Sequence, residues 1–287
     1  MLAKFGPGGN CEKFYEEGNK TSLNIPDWLS KKGLEAYEYE CGKGIKISPD
    51  SAKELGERAK EKGITLSVHA PYFISLSSTE EEKRENSVKY ILDTLAVANV
   101  MGAGRIVVHS GSCSKITRKK AVELATETIK KAVYEADNLG YGHIHICPET
   151  MGKVNQLGTI EEVCELCSVD ERLLPTVDFG HINSQTRGGL KKMEDFERIF
   201  DIIENKLGKE RAKNFHIHYS RIEFTSAGEK KHRCYSETES GPEFWPIAEI
   251  MAKRNLTPTV ICESRGTQTE DAMELKKIYL EKREIYV

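Results

Sequence analysis

The sequence predicts an α/β fold, and within that class one (β/α)8 barrel spanning residues 1–287 as a single domain. Three observations lead there. Eight short β-rich runs recur along the chain, segments of helical spacing lie between them, and no Pro- or Ser-rich linker or low-complexity stretch interrupts it. A doubly wound open sheet is disfavoured: no Gly-x-Gly-x-x-Gly opens a helix after the first run, and GPGG at 6–9 is too short and misplaced.

The β-rich runs are LAKFG (2–6), LEAYEYE (34–40), ITLSVHA (64–70), RIVVHSG (105–111), HIHICPE (143–149), LLPTVDF (173–179), NFHIHYS (214–220) and TPTVICE (257–263). The clearest helical segments are 48–63, 78–103 and 117–140. Each opens at Ser or Thr and closes near Gly, as helix caps prefer. In the third, Ala121, Leu124, Ala125, Ile129 and Val133 fall on one stripe, which a helix needs to pack onto a sheet.

Composition narrows the function classes. With 38% hydrophobic and 30% charged residues, the chain can bury a sizeable core. Its net charge of −3 provides no overall basic field, so any nucleic-acid contact must use a local patch. No apolar run reaches the roughly 18 residues of a membrane span, and MLAKFGPGGNCEKF lacks a signal peptide's apolar core. A cytoplasmic, monomeric protein with no membrane partner is expected. The eight cysteines are scattered, and Cys164-x-x-Cys167 sits in a helical pattern with no second pair nearby, so buried hydrophobes are expected rather than disulfides or a structural zinc site.

In a barrel, chemistry gathers at the C-terminal ends of the strands. The third run ends in His69, the fourth in His109, the fifth in Glu149 and the sixth in Asp178 with His181 beyond; the seventh carries His216 and His218, and the eighth ends in Glu263. Six successive runs thus deliver metal-ligand residue types to one rim. Converging carboxylates and imidazoles need a cation among them, and this nitrogen and oxygen set suits zinc, with manganese or iron as alternatives, rather than calcium. In VDFGH the glycine is expected to turn the backbone so that His181 faces the rim. His143 and His145 lie on the entry half of their run and read as structural; His218 shares a face with His216 and reads as a supporting partner or an extra ligand.

These residues resemble a known pattern. SVHAPYFISLSS (67–78), VVHSGS (107–112), CPETMGK (147–153), TVDFGHINS (176–184), NFHIHYSR (214–221) and ICESRG (261–266) follow in order the motifs of the endonuclease IV family, zinc-dependent apurinic/apyrimidinic endonucleases on a TIM barrel shared with sugar isomerases of the xylose isomerase type. The resemblance covers the third to eighth runs, and the chain reads as a divergent member. It implies that His69, His109 and Glu149 hold a first metal, and that Glu149 bridges to a second completed by Asp178, His216 and Glu263. It further implies a third metal on His181 and on an Asp-x-His in the loop after the seventh run. Here His232 fits the His, but Lys230 stands where the Asp is expected and the nearest carboxylate is Glu229. A charged ammonium cannot ligate a cation.

The implied activity is cleavage of DNA 5′ to abasic sites in base excision repair, with two or three zinc ions activating water and neutralising phosphodiester oxygens. Glu149 and Glu263 are the expected catalytic carboxylates; either Glu229 joins the third site or that site is weak or empty, and a third ion, or Lys230 in place of its charge, is expected to stabilise the leaving oxygen. Tyr72 and Phe73 match a pair inserted into the abasic gap; the family's Gly-Glu-Gly after the third-metal loop and its DNA-probing arginine are absent, the second run offering only Tyr37 and Tyr39. The alternative is a sugar isomerase or epimerase working with Glu149, Asp178, His216 and Glu263 around one divalent ion. His69 and His109, which a one-metal epimerase does not need together as ligands, separate the two.

Overall fold

The structure, a computed structural model, describes residues 2–286, so the expected domain extends one residue beyond it at each end. All eight β-rich runs form strands: β1 Lys4–Pro7, β2 Ala36–Glu40, β3 Thr65–His69, β4 Arg105–His109, β5 His145–Glu149, β6 Thr176–Asp178, β7 His216–Tyr219 and, as the eighth, β10 Thr259–Cys262. Between the last two lies a hairpin that the run pattern did not predict, β8 Arg221–Thr225 and β9 Gly228–Arg233.

The eight pair in parallel in the order β1-β10-β7-β6-β5-β4-β3-β2. The seam between β1 and β2 closes through a Gly8–Glu38 bridge, with Glu35 N–H donating to Phe5 O at 3.0 Å and Gly9 N–H to Glu38 O at 2.9 Å. A barrel with helices outside it results, as the alternating pattern requires. β6 is shorter than its run because Pro175 has no N–H to give the ladder and Asp178 already caps the next helix, Phe179–Gln185.

The helices follow their caps. Pro49–Lys62 begins at Ser48, whose hydroxyl accepts from Ser51 N–H at 3.2 Å, and ends at left-handed Gly63. Arg118–Asn138 begins at Thr117, which accepts from Lys120 N–H, and its whole predicted stripe is buried. Glu81–Met101 departs from expectation: Ser78 accepts from Glu80 N–H in a local turn, and the helix starts at Glu80 with no side-chain cap. Helix Gln268–Tyr286 packs on the barrel with Leu275 and Tyr279 buried and the Tyr279 ring 5.4 Å from Phe5. Cys164 and Cys167 are buried in the core, and no cysteine joins a potential metal-binding group among the described residues. The described residues contain no helix long and apolar enough to cross a membrane.

Candidate metal centre

The strand ends bring the expected donors to one rim. His69, His109, Glu149 and Asp178 are each the last residue of their strand, and Glu263 follows β10 directly. Side chains alternate along a strand, so His216 and His218 both point into the barrel but in different layers. The register decides between them: Asp178 pairs with His218, whereas His216 sits level with Thr176 and Thr259. The expectation that His216 completes the second ligand set is therefore corrected. Its Nε2 lies 2.9 Å from Glu38, and His218 takes the position at the rim.

Glu149 is the hub. Its Oε2 lies 3.5 Å from His69 Nε2 and 3.4 Å from His109 Nε2, while its Oε1 lies 3.0 Å from His218 Nδ1. The same His218 nitrogen is 3.2 Å from Glu263, and Asp178 Oδ2 is 3.5 Å from His181 Nδ1. Glu149 Oε2 and Asp178 Oδ2 are buried and have no hydrogen-bond partner. Orphaned carboxylate oxygens facing inward imidazoles are what a divalent cation would satisfy, and the donors fit zinc or manganese.

The electrostatics agree. Burial works against charge on Glu149, yet the imidazoles of His181, His218 and His69 facing it hold its pKa well below the usual carboxylate range. Burial likewise opposes charge on His218 and His69, yet the carboxylates around them, Glu263 and Glu38 for the first and Glu40 and Glu149 for the second, raise His218 well above the ordinary histidine value and His69 to about 10. For His109 burial prevails and lowers it to about 4. Burial raises Glu263.

A second cluster lies on the hairpin. His181 Nε2 stands 3.5 Å from Glu229, and His232 Nε2 stands 3.6 Å from the same carboxylate. The pairing of β8 with β9 slips between Glu223 and Phe224, leaving Lys230 as the extra residue of a bulge. The bulge puts Glu229 and His232, three apart, on one face and turns Lys230 outward, where it pairs with Glu223 and is 57% exposed. Lys230 therefore does not face the site, which corrects the expectation that its charge stands in there; of the two expected alternatives for the third site, the structure brings Glu229 beside His181 and His232. Two features brace this cluster. Ser220 Oγ lies 2.8 Å from His232 Nδ1, and Gly152 leaves room that a Cβ would fill, 2.7 Å from Glu229 Cβ and 2.8 Å from His181 Cδ2.

His181 reaches this cluster from the first turn of helix Phe179–Gln185, where Asp178 Oδ1 accepts its backbone N–H at 2.7 Å. Gly180 is helical rather than a sharp turn; a Cβ there would lie 2.6 Å from Ser220 O, so glycine admits the close approach of the chain after β7. Tyr72 and Phe73 project at 52% and 42% exposure beside the rim, Phe73 lying edge-on to Tyr90. His145 donates its Nδ1–H to Arg172 O at 2.7 Å, in keeping with a structural role.

The sequence reading missed Glu38. It is fully buried in the barrel interior, where Ser67 Oγ donates to it at 2.6 Å and His218 Nε2 lies 2.7 Å away. The available signal was the alternation in AYEYE, which places a glutamate mid-strand on the inward face.

A family profile described as xylose isomerase-like TIM barrel matches residues 26–283. The chain belongs to that family. A protein of Methanocaldococcus jannaschii named only as uncharacterised is 35% identical over 255 residues, covering 89% of this chain and 90% of the relative. A probable endonuclease 4 of Acholeplasma laidlawii is 26% identical over 233 residues, covering 74% and 77%. Among solved structures, endonuclease IV from Thermus thermophilus superposes with a TM-score of 0.71 at 18% identity, covering 98% of this chain and 99% of that one. A D-tagatose 3-epimerase-like protein also gives 0.71, at 21% identity and 99% and 98% coverage. Both likenesses are of fold.

Proposed function

We propose that the protein is a metal-dependent phosphodiester hydrolase of the endonuclease IV kind, acting on duplex DNA 5′ to abasic sites. The observation that carries this reading is the double face of Glu149, one oxygen toward His69 and His109 and the other toward His218, which suits a carboxylate shared by two cations. His69 and His109 would hold one ion with Glu149; Asp178, His218 and Glu263 would complete the second; His181, Glu229 and His232 would hold a third. Bound zinc would supply charge to activate water and to neutralise the phosphodiester.

The chain's own residues fix the donors. His69 gives its Nδ1–H to Ala70 O and His181 its own to Thr150 O, both at 2.9 Å, leaving each Nε2 turned inward. Tyr72, exposed at the rim, offers a ring for an unstacked base or an abasic gap. A one-metal sugar epimerase would need Glu149, Asp178, His218 and Glu263, but leaves His69, His109 and the hairpin cluster without a role.

Incision of a duplex carrying one tetrahydrofuran abasic analogue by zinc-loaded protein tests the reading. A single cut 5′ to the lesion leaving a 3′ hydroxyl is expected. No incision by fully loaded protein, together with turnover of a ketohexose, would overturn it.

A further inference from the structure

The inward histidines are not oriented alike. His69 and His181 are held through Nδ1 by main-chain carbonyls, and His232 through Nδ1 by Ser220, each turning Nε2 toward its cluster. His218 is reversed: its Nδ1 faces Glu149 and Glu263, and its Nε2 faces Glu38.

We propose that Glu38 is a positioning residue for the metal pair, holding the Nε2–H of His218 so that the Nδ1 lone pair points at the space between Glu149 and Glu263. This deepens the proposed function and rests on it. Glu38 is itself immobilised. One carboxylate oxygen accepts from Ser67 Oγ at 2.6 Å and lies 2.9 Å from His216 Nε2, while the other lies 2.7 Å from His218 Nε2 in an ion-pair contact off the hydrogen-bond axis. All four side chains are buried, so no water competes for these contacts. An isolated ionised carboxylate at such depth would be costly, and two donors, Ser67 on β3 and His216 on β7, together with the adjacent His218 imidazole compensate for its desolvation. Its charge in turn commits Nε2 as the donor and makes the imidazole a stronger ligand through Nδ1. His216, displaced from the rim, acquires a role in this arrangement: it holds the free side of Glu38.

Glu38, His216 and His218 are also close enough to serve as ligands to an ion of their own. The 2.9 Å contact of His216 is that of a nitrogen donor to oxygen, the 2.7 Å contact of His218 is an ion-pair distance, and only three ligands converge, one fewer than a closed structural zinc site uses. The pairing of charges therefore accounts for the trio.

The test uses Glu38→Gln, which keeps shape and removes charge, in the full chain. Cobalt(II) and zinc titrations against a chromophoric chelator, with the visible spectrum of the cobalt form, are compared with the parent, and circular dichroism of the metal-free proteins monitors folding. One ion of the pair should bind about 10- to 100-fold more weakly, with a shifted cobalt spectrum. Should Glu38→Gln fail to fold, Ser67→Ala decides: it should weaken the same ion by a smaller factor. A parent that binds cations beside a Glu38→Gln variant with unchanged affinity and spectrum overturns the positioning role alone. Loss of one whole ion at saturating zinc overturns it in favour of a ligand set. A parent that takes up no cation overturns the proposed function as well.

Discussion

The two donor clusters are built differently. The one around Glu149 stands on the ends of β3 to β7 and β10, where a closed ladder fixes every Cα, whereas the one around Glu229 depends on a two-stranded hairpin and one helical turn. Exposure does not separate them, since His109 and Glu263 in the first keep 22% and 17% of their side chains exposed and Glu229 and His232 in the second 21% and 26%. A rigid cluster at the barrel mouth can set the spacing of two charges, while a hairpin cluster can be altered without disturbing the barrel. The substitution of Glu229 for the expected Asp, absorbed by a one-residue bulge, occurs in the second region.

Glu149→Ala should separate the regions most sharply. It removes the shared carboxylate, so both pair ions are lost and the hairpin ion stays, with activity down roughly 10³-fold. Zinc counting beside the incision assay checks this; loss of all ions together would mean the clusters are one cooperative unit.

Glu229→Ala is the mirror experiment: one ion is lost, the pair remains, and the rate falls by about 10²-fold. Gly152→Ala should mimic it, because its Cβ displaces Glu229 or His181, at an overpacking cost of about 1–3 kcal/mol read by thermal unfolding.

The clusters should also differ in pH dependence once chelated. His69, raised to about 10, stabilises the fold fully below its unfolded value near 6.5, and this contribution disappears as pH climbs through 10. Glu229, held at about 2 by His232 and His181 despite burial, stabilises above the unfolded value near 4.3 and loses this as pH falls toward 2. Burial lowers His109 and His216 to about 4, and the stability they contribute above roughly 6.5 is likewise lost in acid. Melting temperatures of chelator-treated protein should therefore fall on both sides of neutrality, and cation loading should flatten the alkaline side by replacing the protons. A flat alkaline side without chelated metal would contradict the assignment at the Glu149 cluster. Lys230→Ala, smallest of all, should leave incision unchanged and stability within about 0.5 kcal/mol, since Lys230 faces Glu223 and solvent.

What was legible in the sequence follows the same division. Strand runs and the polar residue ending each run are local signals, so the barrel, His69, His109, Glu149, Asp178 and Glu263 could be placed from the chain alone. The choice between His216 and His218 needed register, because a period of two allows both and only the pairing with Asp178 separates their layers. The hairpin was hidden because RIEFTSAGEKKHR carries charges on both faces, and its bulge shifts the alternation by one residue. Glu38 was hidden for a different reason: its partners come from β3 and β7, far away in the chain.

The central claim is that one chain gathers several divalent cations at the barrel mouth. Elemental analysis of protein purified without chelator, by inductively coupled plasma mass spectrometry, tests it most directly. The account predicts two or three zinc ions per chain, with Glu229→Ala holding one fewer. A single exchangeable manganese, or no stoichiometric metal after zinc loading, would contradict it.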